Sequence, residues 1–280
     1  MILVDMNQIS VASVMMHLHM SKRTTPDNNM VRHMILNSLR MYRTRFSSEF
    51  GELVLCYDSK HYWRRDYFPQ YKANRKRDRK KSDQDWDAIF ECLNTIKEEI
   101  ETNMPYKFLE IYGAEADDII ATICTEYDEE IMILSGDKDF IQLQRFPNVK
   151  QYSPITKKMV NGLNPDGYLQ EHILKGDMSD GIPNVLSPDH TFTDGLRQHP
   201  LTKKKIASIL ETIPFDSLPE ETKRNYQRNK KLIDLTSAPP ELSDEILKTY
   251  RSSPYGDRSK LLNYFIQKRL RTLTESIGEF

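Results

Sequence analysis

The chain has 280 residues, 38% of them hydrophobic and 29% charged, with a net charge of −1. That length accommodates one large domain or two modest ones, and no apolar stretch approaches the ~20 residues of a membrane span. The near-zero net charge argues against a uniformly basic nucleic-acid binder, but only on average.

The first residues, MILVDM, enter strand-like sequence at once, with no basic segment or long apolar core, so no signal peptide is expected. ILV is a first strand that ends at Asp5. Residues 7–20 and 30–46 carry apolar residues at helical spacing. LVLCY is a second strand and ends at Asp58. Residues 60–81 hold ten Lys or Arg against two acids, a surplus of eight positive charges, interleaved with Tyr62, Trp63, Tyr67, Phe68 and Tyr71. WDAIFECLNTIKEEIE (86–101) is a helix, FLEIYG a short strand, and EADDIIATICTEY opens another helix. IMILSG is a third strand, followed by Asp137 and Asp139. KQYSP (150–154) is expected at an edge or in a hairpin, because Pro154 cannot sit in a central strand. From about 163 the texture is helical: YLQEHILKGD, KKKIASILETI, ETKRNYQRNKKLIDL, SDEILKTY and SKLLNYFIQKRLRTLTESI. The chain therefore divides into an α/β unit over 1–162, with a basic arch at about 60–85, and an all-helical unit over 163–280. Cys56, Cys92 and Cys124 are odd in number and widely spaced, which fits reduced, buried thiols in a cytosolic protein.

Three strands tipped with aspartate are the most informative pattern. Short apolar runs of this kind form parallel sheets buried on both faces, and ligands bind beyond the carboxyl ends of such strands. The group Asp5, Asp58, Asp137 and Asp139 is joined by Glu115, Asp117 and Asp118 of EADD and by Asp177 and Asp180 of GDMSD. Each has a local explanation as a turn or helix-cap residue. Nine carboxylates from five segments exceed that need. Hard oxygen donors suit Mg²⁺, with Mn²⁺ as a substitute, whereas the histidines and cysteines show no zinc-ligand spacing. So many carboxylates fit two ions ~4 Å apart better than one.

With ILVD, LVLCYD, YWRRD (62–66), YKANR (71–75), EADD, SGDKDFIQL (135–143), NVKQYSP, ILKGDMSD (173–180) and LTESIGEF in this order, the sequence resembles the flap-endonuclease (structure-specific 5′-nuclease) family. Within that family it resembles the branch of the ribonuclease H of T-even bacteriophages. The resemblance implies a nuclease core of mostly parallel sheet flanked by helices, a helical arch, and a helical duplex-binding region. It implies a Mg²⁺-dependent 5′-to-3′ exonuclease and 5′-flap endonuclease that removes RNA primers and adjacent DNA during phage replication, in the cytoplasm of an infected bacterium. One ion would be held mainly by Asp5, Asp58, Asp117 and Asp137. The second would lie toward Asp139, Asp177 and Asp180, with Glu115 and Asp118 acting through water. Lys72 and Arg75 match the catalytic gateway positions at the foot of the arch. Arg64, Arg65, Tyr71, Lys72 and Arg75, together with Lys203, Lys204 and Lys205 opening a predicted helix, are the expected nucleic-acid contacts. The expected partners are DNA and RNA–DNA duplexes with 5′ ends, nicks or flaps, and by family single-strand-binding and other replisome proteins. A monomer without membrane association is expected.

The sequence departs from the family at GDMSDGIPNV, where Gly181 and Asn184 replace the usual residues and no glycine-rich hairpin follows. The helix–turn–helix that grips duplex is thus irregular, and potassium binding there is doubtful. A phosphatase or sugar transferase using the DxD of GDKD would leave Asp5, Asp58, EADD and the arch without a role. A non-catalytic DNA-junction binder with structural metals would keep the arch but would not need so many carboxylates at one edge.

Overall fold

β1 (Ile2–Asp5) lies at the centre of the sheet, with the register of its neighbours set on both sides. In this computed structural model, which describes residues 1–211 and 218–280, it pairs in parallel with β2 (Leu53–Tyr57) and with β4 (Ile131–Leu134). β3 (Lys107–Glu110) adds parallel to β2, and β5 (Val149–Ser153) parallel to β4. β6 (Lys158–Val160) closes the far edge antiparallel to β5, giving the order β3-β2-β1-β4-β5-β6. Alternate residues serve two cores. Ile2, Val4, Leu55 and Leu134 face one, while Leu3, Val54, Cys56 and Ile133 face the other, so the strands are apolar throughout. The chain runs outward from β1 to β3 and then returns to start again at β4. The strand order therefore reverses between β1 and β4, and a crevice opens at their carboxyl ends.

Helices α1 (Met6–Ser21) and α2 (Asn28–Phe50) cover one face. Two short helices follow β2, α3 (Trp63–Tyr67) and α4 (Ala73–Lys80), in the segment expected to form an arch. α5 (Trp86–Asn103) returns to the first face and α6 (Ala116–Glu126) covers the other. α7 (Pro165–Lys175), α8 (Lys203–Glu211) and α9 (Glu220–Ile233) supply a third core, which also takes in Phe68 and Tyr71 from the arch segment. α10 (Pro240–Ser252) packs Ile246 into the core under α6. α11 (Leu261–Gln267) and α12 (Arg271–Glu275) place Leu261, Phe265, Leu273 and the final Phe280 in the core of α1 and α2. The last strand ends at Val160, and all three cores draw on residues from both sides of 162. The three cysteines are free and buried.

The segment expected at an edge or in a hairpin forms a hairpin: β5 pairs antiparallel with the short β6, and Pro154 falls just past the last residue of β5, so the proline never meets the ladder. One helix differs from the sequence reading. The predicted helix over 259–277 breaks at Arg269, which has φ 56°. The Leu270 N–H then bonds back to Phe265 O, and the turn lets Leu270 and Leu273 point into the core. The helix predicted over 203–213 is observed to Glu211, and its last two residues lie outside the described residues.

Phe280 is fully buried and meets the Phe265 ring edge-on at 5.0 Å. Phe280→Ala should cost about 3–5 kcal/mol in urea unfolding. A loss below about 1 kcal/mol would mean that the last helices are not part of the nuclease core.

Candidate active site

The four carboxylates nearest the crevice have local reasons for their positions. Asp5 caps α1, accepting from the Gln8 N–H at 3.0 Å, and its other oxygen accepts from the Ser135 hydroxyl at 2.8 Å. Asp58, just past β2, accepts from the Ala116 N–H at 2.7 Å, tying the end of β2 to the start of α6. Asp117 sits in the first turn of α6. Asp137 caps the 3-10 helix Lys138–Arg145, accepting from the Asp139 N–H. Gln151 of β5 donates to the carbonyls of Ser135 and Asp137 and fixes that loop.

Among the described residues, no lysine or arginine forms an ion pair with any of these four. Burial, with the charges of Asp58 and Asp137 adding to it, pushes Asp5 up to about 6. Asp137 is exposed, yet its carboxyl sits among other acids: desolvation, then repulsion from Asp139, push it to about 6 as well. Burial, with Asp137 and Asp5 beside it, raises Asp117 well above the ordinary range, and burial also raises Asp58. Four desolvated, mutually repelling oxygen donors fit hard divalent cations.

The remaining five carboxylates fall into two sets. Glu115 and Asp118 form a reciprocal capping box at α6 and share the buried Arg64, whose Nη1 lies 2.9 Å from Glu115 Oε2 and 2.8 Å from Asp118 Oδ1. Asp118 is fully buried and also accepts from Trp63 Nε1, so both its oxygens are engaged by protein. Lys72 Nζ reaches Glu115 Oε1 at 2.5 Å, and Arg75 reaches Asp180 Oδ1 at 2.6 Å. The Tyr71 hydroxyl donates to Asp180 Oδ2 at 2.9 Å and lies 3.1 Å from Glu115 Oε2. Burial alone would raise Asp180, but Lys72 and Arg75 hold it below the ordinary range. Asp139 and Asp177 stand apart from these cations, with His172 between them. Among the described residues, Asp180 thus has lysine and arginine partners, which Asp139 and Asp177 lack.

Two glycines hold this arrangement. Gly176 has φ +66°, and a Cβ there would lie 2.3 Å from Ile182 O; Gly181 has φ +74°, and a Cβ would lie 2.9 Å from Gln70 O. The loop between them can therefore close a tight hairpin, with Asp177 and Ile182 exchanging backbone hydrogen bonds, and lie against the foot of the arch. The Lys72 N–H donates to Asp180 O at 2.8 Å.

Above Asp58 and Glu115 opens a cleft of about 400 Å³, otherwise lined by Tyr62, Arg65, Lys72, Arg75, Lys76 and Arg79. Arg65 is exposed. Arg64 is not. Its guanidinium is spent on Glu115, Asp118 and Leu232 O, and it is only 1% exposed, so the expectation that it meets nucleic acid is corrected. Tyr71 is likewise buried and faces carboxylates. Lys203, Lys204 and Lys205 are exposed on the first turn of α8. Sequence reasoning missed Ser135, Gln151 and His172. Nothing in their spacing marks them, since each acts through a contact made only in the fold.

Residues 1–171 match the family described as 5′-3′ exonuclease, N-terminal resolvase-like domain, and residues 166–280 match that described as T4 RNase H, C terminal. This chain belongs to the 5′-3′ exonuclease and flap endonuclease family. It is 34% identical over 296 residues to the ribonuclease H of Enterobacteria phage T4, covering 99% of this chain and 95% of that protein. It also matches, at 27% identity, about a quarter (26%) of the DNA polymerase I of Bacillus caldotenax. A solved bacteriophage T5 flap endonuclease, in a pseudo-enzyme-product complex with DNA and metal ions, superposes with a TM-score of 0.61 at 17% identity. It covers 90% of this chain and 99% of that one, and it shares the fold. The chain is thus a 5′-nuclease of the ribonuclease H type. Among the described residues, no helix of this nuclease is long and apolar enough to cross a membrane.

The nuclease holds protons on Asp5 and Asp137 up to about pH 6, whereas the ordinary value is 3.8. Between these values the folded state binds more protons than the unfolded chain, so this pair's contribution to stability falls as pH rises. A divalent cation would reverse that loss only where the carboxylates are ionised. The rise in melting temperature on replacing EDTA with Mg²⁺ should therefore be small at pH 5 and grow above about pH 6. An equal rise at pH 5 and pH 8, followed by scanning fluorimetry, would contradict this assignment.

Proposed function

We propose that this 5′-nuclease removes RNA primers and adjacent DNA from the 5′ ends of lagging-strand fragments in phage DNA replication, and cuts 5′ flaps, by metal-dependent phosphodiester hydrolysis. The observation that supports this most is the set of four desolvated carboxylates without a protein cation, placed at the switch point of the sheet beside a cation-lined cleft. Asp5, Asp58, Asp117 and Asp137 would hold one ion, and Asp139 and Asp177 would hold the second. Asp180 and Glu115 contribute charge from their places beside Lys72 and Arg75. Mg²⁺, or Mn²⁺ in its place, supplies Lewis-acid activation of the attacking water and stabilisation of the leaving oxygen.

The chain's own residues bring the phosphate there. Lys72 and Arg75 pair with Glu115 and Asp180 at the mouth of the cleft. A scissile phosphate offers these two cations a competing anionic partner next to the Asp58 end of the site. Arg65, Lys76 and Arg79 extend the positive lining along the path of the 5′ strand. Tyr62, 5.6 Å from Lys72 Nζ and partly exposed, offers a ring for an unpaired base. Lys203, Lys204 and Lys205 would meet duplex phosphates on the helical side. Asp5 and Asp137 are fixed by the caps of α1 and the 3-10 helix, and Asp58 by the Ala116 N–H, so these three donors are oriented by the fold itself.

Asp137→Asn removes one of the four donors without changing the side chain's size. Cleavage of a labelled 5′ flap or RNA–DNA duplex should fall at least about a hundredfold, with flap binding in EDTA retained. Cleavage at the wild-type rate in saturating Mg²⁺ would remove Asp137 from the mechanism.

A further inference from the structure

His172 lies on the last turn of α7, one turn before the Gly176–Asp177 hairpin, and the ring of Tyr168 stacks on it at 5.7 Å and 16°. The stack and the helix backbone aim its Nε2 at two carboxylates from separate segments. Nε2 is 3.2 Å from Asp139 Oδ1 and 3.8 Å from Asp177 Oδ2. One donor atom from each of the three residues lies within 4.8 Å of the others. Nε2 is buried, and despite the short distance to Asp139 it makes no hydrogen bond of good geometry. An ion ~2.1 Å from each of three adjacent octahedral donors would space them ~3 Å apart. The spacing between Nε2 and Asp139 already matches that value; Asp177 Oδ1 is held by the N–H groups of Ser179 and Asp180 and by the Ser179 hydroxyl, which leaves Oδ2, 3.8 Å from Nε2, as the oxygen that would meet an ion.

We propose that His172 is a direct nitrogen ligand of the second ion, together with Asp139 and Asp177. This rests on the two-ion reading above and makes its second site chemically unlike its first. The first site offers carboxylate oxygens alone, which suit Mg²⁺. An imidazole nitrogen favours first-row transition ions over Mg²⁺. The second site would therefore prefer Mn²⁺, and His172 would set which metal the nuclease carries there. Asp180, the acid that the sequence groups with Asp139 and Asp177, is bonded to Arg75 and Tyr71, which leaves room for His172 in the ligand set.

The test is pulsed electron paramagnetic resonance on the full chain loaded with Mn²⁺. The wild-type protein should show ¹⁴N modulation of a directly coordinated imidazole, and His172→Gln should lose it. Titration calorimetry should show that His172→Gln weakens Mn²⁺ binding at one of two sites about tenfold or more, with Mg²⁺ affected by less than about threefold. Two bound Mn²⁺ ions with no ¹⁴N modulation in the wild-type protein would overturn the assignment of His172 while leaving the two-ion reading standing. That outcome would make His172 a plain ion-pair partner of Asp139. Persistence of the modulation in His172→Gln would also overturn it. If Mn²⁺ does not bind at all, both readings fall.

Discussion

Repulsion among desolvated carboxylates at the end of a parallel sheet is the constraint around which this molecule is arranged. Asp5, Asp58, Asp117 and Asp137 converge where the strand order reverses between β1 and β4, and no lysine or arginine pairs with them. Burial pushes Asp5 up to about 6, so holding it ionised at neutral pH works against folding. Helix caps keep that rise from being larger: Asp5, Asp58 and Asp137 accept from N–H groups at the starts of α1, α6 and the 3-10 helix after β4. The rise that remains calls for divalent cations, which links folding, metal binding and hydrolysis at one place.

The other acids are handled differently. Arg64, Lys72 and Arg75 neutralise Glu115, Asp118 and Asp180 inside the protein. Arg64 also donates to Leu232 O, so the foot of the arch, the start of α6 and the end of α9 meet at one guanidinium. Asn229 and Arg228 of α9 hold the carbonyl of Pro183, just beyond the Gly176–Gly181 loop. The arch foot, the carboxylates and the helices α7–α9 are therefore one packed unit. A duplex held on those helices would bear on the same contacts that position Lys72 and Arg75.

Much of this was legible in the sequence because parallel strands buried on both faces are continuous apolar runs. Asp5, Asp58 and Asp137 could be assigned to one edge from those runs alone, and EADD could be placed at a helix start. What could not be read was which acids the protein neutralises itself. Arg64 stands beside Arg65 in the same basic segment, yet one is buried in a triad and the other is exposed, a difference fixed by the helical phase of a five-residue helix. Asp180 sits three residues from Asp177, and the turn at Gly181 sends it toward the arch. His172 joins Asp139 only through the packing of α7 on the 3-10 helix. The C-terminal break at Arg269 was hidden because the apolar spacing continues through it.

The central claim is that the uncompensated carboxylates hold divalent cations at the β1–β4 crevice. The most direct measurement is a crystal of the protein soaked in Mn²⁺, with diffraction recorded at the manganese absorption edge. The account predicts an anomalous peak within coordination distance of oxygens of Asp5, Asp58, Asp117 and Asp137. Well-ordered side chains at these four positions without an anomalous peak among them would contradict it.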